Sequence, residues 1–206
     1  NRDGVLATAN AHFNHSVNLW SPKFQQLGSV NEFLSSDPTE WFGPSDVQAG
    51  ESGDFYGMDQ NRARIVRVSL PGRIVTSYSL AGTGESYVRR LVRFRVWEAG
   101  QRFYVVNDKG TVQCLGFDGA KLWSLDTGIG GNPWDGYAGE FDVDDAGDLF
   151  VLANNVDALK IFSPSGTPVG ETRLQLGERR ARVTGLQVDG DDVFVKRPHA
   201  VELFQV

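Results

Sequence analysis

The sequence predicts an all-β fold, a β-propeller built of four-stranded antiparallel blades. Three observations carry that expectation. A turn running into an apolar strand comes round five times, at Asp3-Gly4-Val5-Leu6-Ala7, Gly53-Asp54-Phe55-Tyr56-Gly57, Gly100-Gln101-Arg102-Phe103-Tyr104-Val105, Gly147-Asp148-Leu149-Phe150-Val151 and Gly190-Asp191-Asp192-Val193-Phe194-Val195. Measured at Val5, Phe55, Phe103, Leu149 and Val193, the steps are 50, 48, 46 and 44 residues, the size of a propeller blade. The composition agrees, because 24 glycines with aromatic and β-branched residues between them suit short strands and tight turns. No segment reads as a convincing helix; the best candidate, Gly177 to Arg182, is too short to matter.

Taken in order, the first unit begins at the second-strand position with Gly4 to Asn10, continues through Ser16 to Ser21, and has an outer strand near Phe24 to Phe33. The second supplies four pieces: Pro44 to Ala49 innermost, then Phe55 to Asp59, Ala63 to Val68 and Arg73 to Leu80. Its turns carry the expected punctuation, Glu51-Ser52-Gly53-Asp54, Gln60-Asn61-Arg62 and Leu70-Pro71-Gly72-Arg73. The third runs Leu91 to Trp97, Phe103 to Asn107, Thr111 to Phe117 and Lys121 to Asp126, with hairpin turns at Asp108-Lys109-Gly110 and Asp118-Gly119. The fourth runs Glu140 to Asp144, Leu149 to Ala153, Ala158 to Phe162 and Val169 to Leu176, and the last supplies Val183 to Val188, Val193 to Lys196 and Ala200 to Val206.

Residues 1–206 therefore read as one propeller segment: a partial blade over 1–43, whole blades over 44–82, 88–128 and 139–177, and a partial blade over 183–206. Eighteen strands are two short of five four-stranded blades, and an open arc would leave sheet edges bare. The expectation is an incomplete ring from a propeller of six or more blades, with a five-bladed ring closed by another segment as the rival.

The net charge of −6 argues against a chain-wide nucleic-acid surface. No apolar run reaches the roughly 20 residues that span a bilayer. Cys114 alone cannot form an internal disulfide. The compartment stays open, with a bacterial secreted or periplasmic setting favoured.

Gly43-Pro44-Ser45-Asp46-Val47, Gly53-Asp54-Phe55-Tyr56-Gly57-Met58-Asp59, Asn61-Arg62-Ala63-Arg64-Ile65 and Pro71-Gly72 together resemble one NHL-type repeat. Phe141-Asp142-Val143-Asp144, Gly147-Asp148-Leu149-Phe150-Val151, Asn154-Asn155, Ile161-Phe162 and Gly166 resemble a second copy. NHL-like propellers are six-bladed and chiefly binding modules, with a minority of hydrolases and lyases, so the resemblance implies a platform for a partner and no named reaction. Gly110-Thr111-Val112-Gln113-Cys114-Leu115 followed by Gly119-Ala120-Lys121-Leu122-Trp123 is similar to a quinoprotein-type blade, but Val75-Thr76 and Val169-Gly170 stand where other blades would repeat the tryptophan.

Arginines gather in two connections at the same place in the repeat. Arg89 and Arg90 precede an innermost strand bearing Arg93 and Arg95, and Arg179, Arg180 and Arg182 precede the next such strand but one. Radial blades would bring these connections to one face, where guanidinium groups make paired contacts with carboxylates or other anions. Solvated charge balanced by Glu85, Glu98 and Glu178 is the plainer reading of the same residues. Trp41, Trp134 and Tyr137 lie in long connections on the same side and are candidate anchors, or else plugs that hold their own loops.

Asp142, Asp144, Asp145 and Asp148 form the densest acidic cluster and the candidate hard-cation site. Ala146 and Ala153 occupy places where a calcium loop needs ligands, so a plain Asp/Gly hairpin outweighs the metal. His12 and His15 would point to opposite faces of a strand, and with His199 they complete no ligand set. No Ser elbow or phosphate-cradling glycine loop is present.

The expectation is thus a non-enzymatic binding or scaffold module. It would offer the face of loops 36–46, 82–91, 128–139 and 177–183 to a protein or other anionic partner, with no cofactor and no catalytic residue assigned. The alternative is a propeller-based enzyme, a metal-dependent hydrolase or lyase or a quinoprotein-like one, using the central channel. A subunit docked permanently in a larger assembly is a third reading.

Overall fold

A computed structural model describes residues 6–10, 16–30, 44–59, 62–69, 73–80, 91–107, 110–127, 140–153, 158–174, 183–197 and 200–206. Among the described residues there are eighteen strands and no α-helix. The strands form five sheets in which consecutive strands are neighbours. The first holds β1 (Leu6–Asn10), β2 (Ser16–Trp20) and β3 (Gln26–Val30), and the second β4 (Pro44–Ala49), β5 (Phe55–Asp59), β6 (Arg64–Ser69) and β7 (Arg73–Ser79). The third holds β8 (Leu91–Trp97), β9 (Arg102–Asn107), β10 (Thr111–Gly116) and β11 (Lys121–Asp126). The fourth holds β12 (Glu140–Val143), β13 (Leu149–Ala153), β14 (Ala158–Phe162) and β15 (Pro168–Arg173), and the fifth β16 (Gly185–Asp189), β17 (Asp192–Arg197) and β18 (Ala200–Gln205).

The chain forms two compact units, Asn1–Val105 with Leu115–Lys121, and Val106–Cys114 with Leu122–Val206. In the first, β1 lies against β4 and β4 against β8; in the second, β12 lies against β16. Leading strands of successive sheets adjoin, which is how propeller blades pack.

Two turns recur and set the register. The outer hairpin turn has the same hydrogen bonds in three sheets. Ser21 N–H donates to Gln25 O at 2.8 Å and Phe24 N–H to Ser21 O at 2.9 Å, with equivalents from Gly116 and Gly119 and from Ser163 and Gly166. The inner turn repeats the second of these bonds, from Gly53 N–H to Gly50 O, Gln101 N–H to Glu98 O and Gly147 N–H to Asp144 O. Its donor needs left-handed backbone, with φ of 89° at Gly53, 86° at Gly147 and 52° at Gln101. The glycine of the third unit, Gly100, stands one place early, so a glutamine fills the strained slot. Replacing Gln101 by Gly should therefore raise stability by about 0.5–1 kcal/mol. Urea unfolding measures it, and a fall in midpoint would contradict this assignment of strain.

The second strands β5 and β9 are buried on both faces, with all five residues of β5 buried, whereas β17 leaves Lys196 exposed. Their alternation decides which neighbour each residue meets. Phe55 packs with Leu19, Val66 and Val68. Its successor Tyr56 turns the other way, to Phe94, Phe103 and Leu115. In the second unit Phe150 and Val193 meet in the same manner, with Leu152, Leu159 and Leu186. Of the four aromatics expected between blades, Tyr56, Tyr104 and Phe150 are buried and Phe194 is half-buried. Cys114 is a buried free thiol. Trp123, the quinoprotein-like indole, donates from Nε1 to Pro164 O at 2.9 Å. Its ring covers Gly166, where a Cβ would fall 3.0 Å from the ring.

Candidate functional site

Charge on the leading strands of the first unit centres on Asp46. Its Oδ1 accepts the N–H of Val47 at 2.9 Å, and its Oδ2 accepts the N–H of Phe94 on the next blade at 3.1 Å. Arg95 follows Phe94 and donates to its carbonyl at 2.9 Å. Burial raises the Asp46 carboxyl above its ordinary value; the charges of Arg95 and Arg93 and the two N–H groups pull the other way without cancelling it. The same register position in the fourth sheet holds Glu140, since Asp46 faces Met58 and Glu140 faces Leu152. Glu140 is buried too. In the second unit the bond to the next blade comes instead from Asp142, whose Oδ2 accepts the N–H of Val188 at 2.8 Å.

A second carboxylate joins two blades at the inner turn. Glu98 Oε1 accepts the Tyr56 hydroxyl at 2.5 Å and the Ser52 hydroxyl at 2.7 Å, while Oε2 accepts the Ser52 N–H at 2.6 Å. Gly50 makes room for it, because a Cβ there would come within 2.7 Å of Glu98 Oε1 and 2.8 Å of the Tyr56 ring. Burial alone would raise the Glu98 carboxyl, but Tyr56, both Ser52 donors and the Arg67 charge outweigh it and hold the carboxyl below its ordinary value. Burial, reinforced by the Glu98 bond and charge, pushes the Tyr56 phenol far above its usual range. Glu98 is thus a blade-to-blade staple, while the loop arginines it was expected to balance lie outside the described residues.

The far ends of two second strands carry ion pairs of opposite polarity, each with one buried member, Asp59 and Arg197. Asp59 accepts from Arg64 Nε at 3.0 Å, and Arg197 Nη2 donates to Glu202 at 3.1 Å. Asp59 pairs across the sheet with Pro44, at the end where loop 36–46 enters. Burial raises its carboxyl despite the Arg64 hydrogen bond and charge.

The acidic hairpin divides its carboxylates among separate tasks. Asp142 is engaged by Val188, and Asp144 Oδ1 accepts the N–H of Asp148 at 2.8 Å. Asp145 is exposed. Burial and then the Asp144 charge raise the Asp148 carboxyl. Among the described residues no group of three or more His, Cys, Asp or Glu stands together to hold a metal ion. Arg89, Arg90, Arg179, Arg180, Arg182, Trp41, Trp134 and Tyr137 all lie outside the described residues, as do His12, His15 and His199. The described parts of the expected face are its margins, residues 44–46, Leu91 and Val183, with the strand bearing Arg93 and Arg95 following from Leu91. The sequence reading assigned no role to Asp46, although its spacing of one blade length from Phe94 was a usable signal.

The fold is a β-propeller, its five sheets being five blades of which three have four strands. No protein-family model matches the chain, and no curated protein matches it in sequence. Solved structures match it in shape. A catalytically inactive virginiamycin B lyase from Staphylococcus aureus with quinupristin superposes with a TM-score of 0.61 at 13% identity, over 98% of this chain and 67% of that one. A protein of unknown function from Bacteroides caccae gives 0.58 at 12% identity, over 98% and 69%. The WD40 β-propeller domain of Doa1 gives 0.62 at 12% identity, over 98% and 61%. At such identities the likeness is one of fold alone. The chain spans about two thirds of the length of the lyase. No described helix is long and apolar enough to cross a membrane.

Proposed function

We propose that the protein is a non-enzymatic propeller binding or scaffold module of the NHL type, and that its arginine- and tryptophan-bearing loops receive a protein or other anionic partner. One observation supports this reading most: the connection carrying Arg89 and Arg90 runs directly into β8, whose Arg93 and Arg95 act on the half-buried Asp46. A connection rich in arginine that leads into a strand bearing two more concentrates guanidinium groups on one stretch of chain, and a partner's carboxylates would make charge-assisted hydrogen bonds with them. The WD40 domain among the matched structures is compatible with such a role.

Poly-L-glutamate is a direct probe. The protein should bind it at low salt, and joint replacement of Arg89, Arg90, Arg179 and Arg180 by Ala should weaken binding at least about tenfold, the scale of one charge-assisted contact. Binding that survives the four replacements unchanged would falsify the assignment of this face.

The matched lyase favours a second reading, an enzyme using the central channel. Turnover of quinupristin by the purified protein, or a stoichiometric metal in it, would put that reading first.

A further inference from the structure

Within each unit one sheet packs on the next through positions that recur along the chain. In the second unit the fourth sheet meets the fifth through Phe150, Leu159 and Ile161, which lie with Val193, Val195 and Phe204. The fifth sheet repeats the same positions on its other face. Phe194 stands where Phe150 does, and its cross-strand partner Leu203 stands where Ile161 does. Val201 likewise repeats Leu159. Here the apolar set is open to water, for Leu203 is 56% and Val201 66% exposed, and Phe194 is half-buried.

The first sheet has an open face of its own. Ala7 and Leu19 turn toward Phe55 of the second sheet, so their neighbours Leu6 and Trp20, paired across the strands, face away from it. Trp20 is held in place by donating from Nε1 to the Thr8 hydroxyl at 3.0 Å, and Leu6 is exposed. In the turn that follows Trp20, Phe24 is 74% exposed and holds a left-handed φ of 58°. Gly119 and Gly166 fill that slot in the equivalent turns. Each of those glycines is pressed on the outermost strand of the preceding sheet, since a Cβ would fall 2.8 Å from Ser79 O or 3.0 Å from the Trp123 ring. A phenylalanine is strained in this slot and barred from so close a seat. Its ring needs a receiving surface set back by about one strand spacing, about 4.8 Å. The fifth sheet is such a surface, because its outermost described strand is the third, β18, which carries Val201 and Leu203.

We propose that the face of the fifth sheet bearing Phe194, Val201 and Leu203 receives the first sheet of a second copy of this chain, with Phe24 seated over β18. The contact continues the sheet-on-sheet packing found inside each unit. It joins unlike surfaces, so copies associate head to tail. None of these residues belongs to the arginine loops, and the inference goes beyond the preceding reading without resting on it.

The test is sedimentation velocity on the whole chain. Concentration-dependent association is expected, and Val201→Asp/Leu203→Asp and Leu6→Asp/Phe24→Asp proteins should each be monomeric. Mixed in equal amounts, the two variants should form a dimer of one of each and nothing larger, because one competent pair of faces remains. Phe24→Gly should weaken association at least about tenfold while its thermal midpoint holds or rises, glycine being suited to the left-handed slot. An Arg89→Ala/Arg90→Ala protein should associate as the parent does, which separates this surface from the loop face. A parent that stays monomeric up to roughly 0.1 mM, already weak for a specific contact, overturns the proposal. So does association that survives either double variant, or a mixture of the two that stays monomeric.

Discussion

Replacing Glu98 by Ala should destabilise the first unit by about 3 kcal/mol, the sum expected for losing charge-assisted hydrogen bonds and stranding the buried Tyr56 hydroxyl. The main chain at Ser52 and the phenol of Tyr56 both point at one carboxylate, and the adjoining Gly50 has no side chain that could take its place as acceptor. Water could reach Ser52, which is exposed, but the Tyr56 residue is fully buried. Glu98→Gln should cost less, because the amide oxygen still accepts from one donor. For a chain of this size the loss corresponds to a fall in midpoint of roughly 6–12 °C. A scanning-calorimetry midpoint within 2 °C of the parent, allowing about 1 kcal/mol at most, would show that the staple carries no weight.

The same site fixes the sign of a pH dependence. The Glu98 carboxyl is lower in the folded protein than its ordinary 4.5, so its contribution is complete above that value and is lost as pH falls through the folded value. Tyr56 is raised, so its contribution is complete below the ordinary 10.0 and is lost as pH rises beyond it. Asp46, Asp59 and Asp148 are raised as well and gain stability as pH falls, opposing Glu98 in acid. The difference between the parent and Glu98→Gln isolates the staple: it should be constant near neutrality and shrink below pH 4.5. A difference that grows in acid would reverse the assignment.

The parts of this architecture that were legible in the sequence are those fixed by neighbours along the chain. A glycine at a left-handed position followed by an apolar strand marks an inner turn locally, and three of the five phrases close with the same backbone bond. The third shows the limit, for Gly100 suggests a register that Gln101 actually occupies. The acidic hairpin was legible as a turn for the same reason, since Asp144 and Asp148 bond within four residues. The staple at Glu98 is not legible locally, because its partners lie 42 and 46 residues back and only the packing of one blade on the next brings them together. Asp59–Arg64 and Arg197–Glu202 sit between these cases. Each pair spans five residues at one place in the repeat, with charges exchanged, and aligning the units four residues beyond Phe55 and Val193 would have exposed it. The loop arginines were visible as composition alone, because loop geometry depends on what surrounds it and not on a local period.

Phe103→Ala should be the most damaging single truncation, at about 4 kcal/mol, the usual scale for emptying a buried phenyl site. The size follows from where the repeat places the residue. Phe103 opens a second strand and faces the preceding blade, where Tyr56 faces forward to meet it at 6.0 Å, edge-on. Tyr78 stands 5.0 Å and Phe117 4.5 Å from the same ring, so four aromatic rings close around one point. Removing the central ring leaves walls that are themselves rigid, and a site that cannot collapse keeps its cavity. Val193 holds the equivalent place in the second unit, among aliphatic side chains such as Leu152, Leu159 and Leu186. Its truncation to Ala removes fewer atoms from more adaptable surroundings and should cost about 2 kcal/mol. Phe103→Leu should recover more than half of the loss, since a branched aliphatic group refills most of the volume. Urea titrations of the three variants make the comparison. Equal costs at Phe103 and Val193 would mean that the aromatic cluster adds nothing beyond its buried area, and that the repeat position alone sets what a blade contact is worth.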